Sequence, residues 1–219
     1  GITAEDIEYE LLDLQFLGIE NLLLLRGDKA KADRVFMPTP GGHSHTTELI
    51  SQVNRFNKGL FNDGTSINHP GVPFEYGVAA YPENHEEAPN MKMDLEWLKE
   101  KQDMGASYAV TQLFYDNKKF FDFIQAAREI GITIPIIPGI KPLARLSQLT
   151  VVPRTFRCDL PEELASEVLK CKTDEDAQHL GIEWGINQCR ELYEAGFHNI
   201  HFYTVSAADS VREIVRKLL

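Results

Sequence analysis

The sequence predicts an α/β protein built on a parallel sheet. Short apolar runs alternate with amphipathic helical stretches, the pattern that gives right-handed strand–helix–strand crossovers. A run such as residues 21–25 is continuously apolar after its first residue, as expected of a parallel strand covered on both faces. Glycines such as Gly18, Gly105 and Gly131 stand where helical periodicity stops. Hydrophobic residues make up 43% of the 219, which supports a real core and excludes global disorder.

Thr3 reads as the N-cap of the first helix, with Asp6 in the capping-box position. Ile7, Leu11 and Leu14 follow at helical spacing, and Gly18 ends the helix. Residues 21–25 form the first strand, which leads into Arg26-Gly27-Asp28. A loop rich in Gly, Pro and His runs to His45, a length usual for functional or mobile loops. The second helix, 46–57, turns Leu49, Ile50, Val53 and Phe56 inward. Residues 62–73 are turn-rich, and the strand 74–80 leads into Tyr81-Pro82-Glu83-Asn84-His85. A helix over 93–104, a strand over 108–114 and a helix over 118–129 come next. The fourth strand spans 134–139, with Pro135 near its start and Pro138-Gly139 at its exit. A short helix at 146–151, two helices in series at 161–172 and 174–195, a fifth strand at 199–204 and a helix at 208–218 complete the chain. Five strands in this order make either an open doubly wound sheet or part of a barrel. No G-x-G-x-x-G follows a strand and no G-x-x-x-x-G-K-[ST] occurs, so the common dinucleotide and P-loop readings lose their main support.

Charge narrows the function. A net charge of −11 argues against a nucleic-acid or anionic-membrane binder, which needs a basic face, but leaves room for a local basic pocket around a phosphorylated cofactor. No run approaches the roughly 18 apolar residues of a membrane helix. The acidic, amphipathic start does not read as a signal peptide, and a cytoplasmic location is expected. Cys158, Cys171 and Cys189 are odd in number and widely spaced, which fits free thiols better than a disulfide framework or a zinc site. The chain opens at Gly1 without methionine, which fits a processed or trimmed product.

Parallel strands of a barrel deliver the groups at their carboxyl ends to one mouth. Asp28 lies just past the first strand beside Gly27; it either stabilises a developing cation or serves as a turn carboxylate. Gln112 is polar in an apolar strand; it either offers donor and acceptor to a heterocycle or pairs with a neighbouring strand. Asp94, Trp97 and Lys101 fall at i, i+3 and i+7 on one helix face, which can hold ribose, adenine and diphosphate or simply face solvent; Met91, Leu95 and Leu98 form the adjacent core stripe. His43 and His45 lack a third metal ligand in reach and read as loop residues. No Ser or Cys sits in a nucleophile-elbow sequence.

Leu25-Arg-Gly-Asp28, Ala79-Ala-Tyr-Pro-Glu83 with His85, Thr111-Gln-Leu-Phe114 with Asp116, Ile136-Ile-Pro-Gly-Ile140 with Pro142, and His201-Phe-Tyr-Thr204 resemble, in order and spacing, the methylenetetrahydrofolate reductase family. The resemblance covers essentially the whole chain. It implies a (β/α)8 TIM barrel, of which residues 1–219 supply, as one domain, roughly the last five strands and their helices. It implies FAD as cofactor, NADH or NADPH as co-substrate, and reduction of 5,10-methylenetetrahydrofolate to 5-methyltetrahydrofolate. Arg26, Gly27 and Asp28 match the flavin-contacting strand end, where the aspartate tunes the flavin and the charged folate intermediate. Tyr81, His85 and Ala88 match FAD contacts at the next strand end, and Asp94 and Lys101 match residues holding the ribose and diphosphate. Gln112 is similar to the glutamine that meets pterin and nicotinamide in turn, and Gln148 to a second substrate-side glutamine. The glutamate that serves as general acid is expected in the three strands preceding Gly1. Homo-oligomers are common for such barrels.

Three positions depart from the bacterial pattern. Trp97 and Glu100 stand where Asn and Arg are usual, and Ala207 replaces a substrate-side arginine. Two rivals remain at this level: another flavin-dependent barrel such as a proline-dehydrogenase-like oxidoreductase, and a non-catalytic binding protein on the same fold.

Overall fold

Helix α1 (Ala4–Phe16) opens with the expected capping pair. Thr3 N–H donates to Asp6 Oδ2 at 2.9 Å, and Asp6 N–H donates back to Thr3 Oγ1 at 3.1 Å. In the computed structural model, which describes residues 2–29, 35–205 and 207–218, α1 is followed by β1 (Asn21–Leu24), α2 (Thr46–Asn57), β2 (Glu75–Ala80), α3 (Met91–Asp103), β3 (Tyr108–Leu113) and α4 (Asn117–Glu129). Then come β4 (Ile136–Ile140), α5 (Gln148–Phe156), α6 (Glu162–Lys170), α7 (Asp174–Glu194), β5 (His201–Phe202) and α8 (Ala208–Leu218). The strands form one sheet in the order β1-β2-β3-β4-β5, with β1 parallel to β2 and β4 parallel to β5. Strands consecutive in the chain are neighbours throughout, as in a (β/α)8 barrel; a doubly wound sheet reverses direction at a switch point. The sheet is therefore a five-strand portion of such a barrel.

The chain clusters into two compact units, Gly1–Ala79 with Trp97–Ala109, and Ala80–Glu96 with Val110–Leu219. In the first, Ile50, Val53 and Phe56 of α2 are buried as the helical periodicity predicts, with Phe74 and Tyr76 beside them. Asn57 brackets the backbone of Phe74, receiving its N–H at 2.8 Å and donating to its carbonyl at 2.9 Å. The Tyr76 hydroxyl lies 2.8 Å from Asn54 Oδ1 and 2.9 Å from the Met104 carbonyl, so this buried phenol is satisfied. In the second unit, Phe114 stacks on Phe120 with centroids 5.0 Å apart, and Phe197 meets Phe120 edge-on. Helix α7 reads the end of β3: Gln188 Nε2 donates to the Phe114 carbonyl and Trp184 Nε1 to that of Tyr115. It also packs against the connection after β4, where Gly181 has no Cβ to overlap the Leu143 carbonyl.

Four expectations are corrected. Strand β1 is not buried on both faces: Leu23 is 41% exposed, and Leu25 just past the strand 51%, where β1 ends the strand order and has a neighbour on one side only among the described residues. Strand β4 starts at Ile136 rather than 134, since Pro135 cannot donate to a ladder and the Ile132 and Ile134 carbonyls accept from Arg128. It also continues through Pro138-Gly139 to Ile140. Strand β5 pairs only over His201–Phe202, because the chain turns away at Thr204, whose carbonyl accepts from Ala207 N–H. Helix α5 spans Gln148–Phe156 rather than 146–151, running through Pro153 where Val152 and Leu149 pack in one cluster with Leu164 and Val168.

Candidate functional site

In the first unit, the chain leaves β1 through Leu25 and Arg26 into Gly27. Gly27 adopts φ +86°, and no atom of the described residues lies within 4 Å of where its Cβ would stand, so among them the backbone is open there. Asp28 follows it, exposed. The Arg26 guanidinium sits over the Phe36 ring, 4.0 Å from its centroid. Both border a cavity of about 400 Å³ walled by leucines of α1 and β1, including Leu11, Leu14 and Leu24. His43 at its margin is 2.6 Å from Gln52 Oε1, so it serves the loop, and no His/Cys/Asp/Glu metal cluster occurs among the described residues. Lys101, on α3, is half-buried with Nζ 3.5 Å from the Ala79 carbonyl.

In the second unit, the segment after β2 folds into a tight loop. Tyr81 and His85 are both half-buried and meet edge to face, with centroids 4.6 Å apart. Asn84 holds φ +76°, and its Nδ2 donates to the carbonyl of buried Ala88 at 2.9 Å. Asp94 is itself buried, and its Oδ2 accepts the His85 N–H at 2.8 Å. Tyr81, His85, Ala88 and Asp94 thus come together in one bracket. The helix-face reading needed only spacing; burial of Asp94 beneath the loop gives it a structural task as well.

Gln112 is half-exposed on β3. Its Oε1 accepts the N–H of Leu113 at 3.0 Å, and its NH2 donates to no group among the described residues. Gln148 opens α5 and closes the preceding turn, with Oε1 accepting from Ala144 N–H at 2.6 Å and Arg145 N–H at 3.1 Å. The two glutamines belong to the same unit but to different networks.

The sequence model of the methylenetetrahydrofolate reductase family matches residues 2–219. The chain belongs to that family. A Caenorhabditis elegans protein named probable methylenetetrahydrofolate reductase (NADPH) is 40% identical over 150 residues, 68% of this chain and 23% of that protein. Methylenetetrahydrofolate reductase (NADH) 1 of Zea mays is 30% identical over 219 residues, 100% of this chain and 36% of that protein. The 5,10-methylenetetrahydrofolate reductase of Buchnera aphidicola is 31% identical over 193 residues, 88% and 58%. The chain spans less than two thirds of the length of each of these relatives.

Against the reductase pattern, the departures fall in different settings. Trp97 is half-buried, Glu100 exposed, and Ala207 packed away at 2% exposure. Sequence reasoning quoted Glu83 within a motif but gave it no role, and it passed over Lys119 and Arg157. Glu83 Oε2 accepts from Lys119 Nζ at 2.6 Å and from Asp159 N–H at 2.9 Å; Arg157 Nη2 lies 3.0 Å from Glu86 Oε1. Partners 36 and 71 residues apart leave no periodic signal.

Proposed function

We propose that this chain is the substrate-handling part of an NAD(P)H-dependent flavoprotein that reduces 5,10-methylenetetrahydrofolate to 5-methyltetrahydrofolate. The observation that carries this is the family match across residues 2–219. Relatives whose names specify NADPH in one case and NADH in another support a nicotinamide co-substrate.

The residues present fit a flavin nucleotide, taking each unit by itself. Tyr81 and His85 offer two half-buried rings to a flat heterocycle, and the loop bearing them is braced by Asp94. Around Gly27 the backbone is open among the described residues, with Arg26 and Asp28 on either side. Lys101 supplies a cation for a diphosphate, and Ala88 a small buried wall. When bound, FAD supplies the hydride relay from NADH or NADPH to the exocyclic methylene of the folate. The Asp28 carboxylate stabilises the cationic form of the folate that receives the hydride. The amide NH2 of Gln112, which bonds nothing among the described residues, donates to the pterin and to the nicotinamide carboxamide in turn, and Gln148 lines the substrate side. One site serving two substrates in succession gives ping-pong kinetics.

The test is the visible absorption spectrum of the purified full-length protein under anaerobic conditions, with NADH added first and methylenetetrahydrofolate second. Bleaching by NADH and recovery with the folate is the expected result. Bleaching without recovery moves the function to another flavin-dependent barrel oxidoreductase, such as a proline-dehydrogenase-like one. A colourless protein that takes up no FAD leaves the family intact and moves the function to a binding protein.

A further inference from the structure

The loop between β2 and α3 is held in an arrangement that its own residues do not favour. Asn84 stands at φ +76°, a region that Asn tolerates better than other side chains but still at a cost. Two neighbouring acceptors, Glu83 Oε1 and Asn84 Oδ1, are shielded from solvent and have no hydrogen-bond partner among the described residues. Such an arrangement persists only when the surroundings over-determine it. The surroundings here are three ion pairs. Glu83, whose side chain is 10% exposed, receives Lys119 Nζ from α4 and the Asp159 N–H from the α5–α6 connection. Lys119 also pairs with the Asp159 carboxylate, and Arg157 reaches Glu86 at 3.0 Å. Burial works against the Lys119 charge, but the hydrogen bonds it donates to Asp159 and Glu83 outweigh it and raise the pKa, so the ammonium stays charged. The same loop presents the Tyr81 and His85 rings.

We propose that Glu83 is a positioning residue for the flavin: pinned by Lys119 and Asp159, it fixes the strained loop so that Tyr81 and His85 meet the cofactor preorganised. The role rests on the flavin reading above. A carboxylate taken out of water to brace a loop is a poor choice for stability alone, because desolvating the charge offsets much of what its ion pair contributes. It is a sound choice for holding a loop in one setting before a ligand arrives, which removes ordering cost from binding.

The test uses the full-length holoprotein with Glu83→Gln, Lys119→Met and Lys119→Arg. FAD affinity is read by titration of the apoprotein, and the bound flavin's environment by its visible absorption bands. Glu83→Gln and Lys119→Met are expected to weaken FAD binding about tenfold, the low end of the cost of losing an orienting partner behind a bound group, and to shift the bands. Lys119→Arg, which keeps the charge, is expected to restore both. If wild type binds FAD and both charge-removing variants bind it equally well with unshifted bands, the role is overturned even where their melting temperatures fall. If Glu83→Gln does not fold, the Lys119 pair decides. A wild-type protein that binds no FAD overturns the flavin reading, and this role with it.

Discussion

The ring of Tyr203 lies across Gly139, and its hydroxyl donates to the Thr111 carbonyl at 2.8 Å. A side chain from the residue just past β5 thus passes over β4 to bond β3, and it passes where Gly139 has no Cβ. The first unit repeats the device. Tyr108 of β3 lies where a side chain on Gly77 of β2 would stand, and its hydroxyl donates to the Leu22 carbonyl of β1 at 3.1 Å. In both places a glycine in the middle strand lets a tyrosine tie together the strands flanking it.

Gly139→Ala is expected to destabilise the protein by about 3 kcal/mol or more, the upper part of the overpacking range. The new methyl would meet the Thr111 carbonyl, which cannot move without breaking the sheet, and Tyr203 Cε2 at 2.7 Å. The nearest atoms to a methyl at Gly77 belong to the Tyr108 ring, a side chain that can swing, so Gly77→Ala is expected to cost less. Tyr203→Phe should cost about 1 kcal/mol, the usual worth of one hydrogen bond. Urea unfolding midpoints of the three variants give the ranking; an unchanged Gly139→Ala protein would refute the crossing.

This device marks what the sequence leaves hidden. Thr3 with Asp6, and Gly18, Gly105 and Gly131, were legible because caps and stops act within a few residues. The face of α2 was legible because Ile50, Val53 and Phe56 repeat with the helix. Tyr108 and Tyr203 read only as strand residues, since a reach across a neighbouring strand has no spacing of its own. Glu83 with Lys119 is silent for the same reason: on sequence alone, a lysine near the start of an amphipathic helix is solvated. At the site, the motif placed Gln112 at a strand end, but which half of its amide is spent on Leu113 is set by local backbone geometry. Exposure of Leu23 and Leu25 goes with the place of β1 at the end of the strand order among the described residues, which no single run of leucines encodes.

The thiols should divide sharply in reactivity. Burial pushes Cys158 and Cys189 up to about 12, with the Glu83 charge adding to the shift at Cys158, whereas Cys171 is partly exposed. At pH 8, iodoacetamide is expected to modify Cys171 alone in the native protein and all three cysteines after denaturation. Peptide mapping by mass spectrometry reads this directly, and rapid labelling of Cys158 would contradict its burial.

The same shifts set an alkaline limit. Unfolded thiols lose their protons near the ordinary value of 9.0, while the folded ones hold them to about 12. Between these values the unfolded state binds fewer protons, so stability falls as pH rises. Burial raises Tyr76 and Tyr203 in the same sense. The urea midpoint should therefore drop steadily from pH 9 upward, and a Cys158→Ala/Cys189→Ala double variant should show a flatter slope. An identical slope would place the alkaline loss elsewhere.

Gln112→Glu separates recognition from folding. The new carboxylate can still accept the Leu113 N–H, so the strand is expected to keep its stability. What disappears is the NH2 donor. A substrate acceptor left facing a carboxylate costs about 1–3 kcal/mol, or roughly ten- to a hundredfold in kcat/KM for the folate. Steady-state kinetics beside a thermal melt distinguish the cases: lost stability with unchanged folate kinetics would make Gln112 a structural residue.

Asp28→Asn tests the charge at the end of β1. Asp28 is exposed beyond the left-handed Gly27, so removing its charge should leave the melting temperature unchanged. Its proposed task is confined to one half of the cycle, in which the folate bears positive charge as it receives hydride. Losing a preorganised electrostatic partner in that step is expected to slow it by about a hundredfold. Delivery of hydride from NADH involves no cationic folate and should change far less. Anaerobic stopped-flow traces of the two half-reactions, recorded separately by flavin absorbance, give the ratio. A selective loss in the folate half-reaction ties Asp28 to the cation, whereas equal slowing of both would mean that it acts on cofactor placement alone.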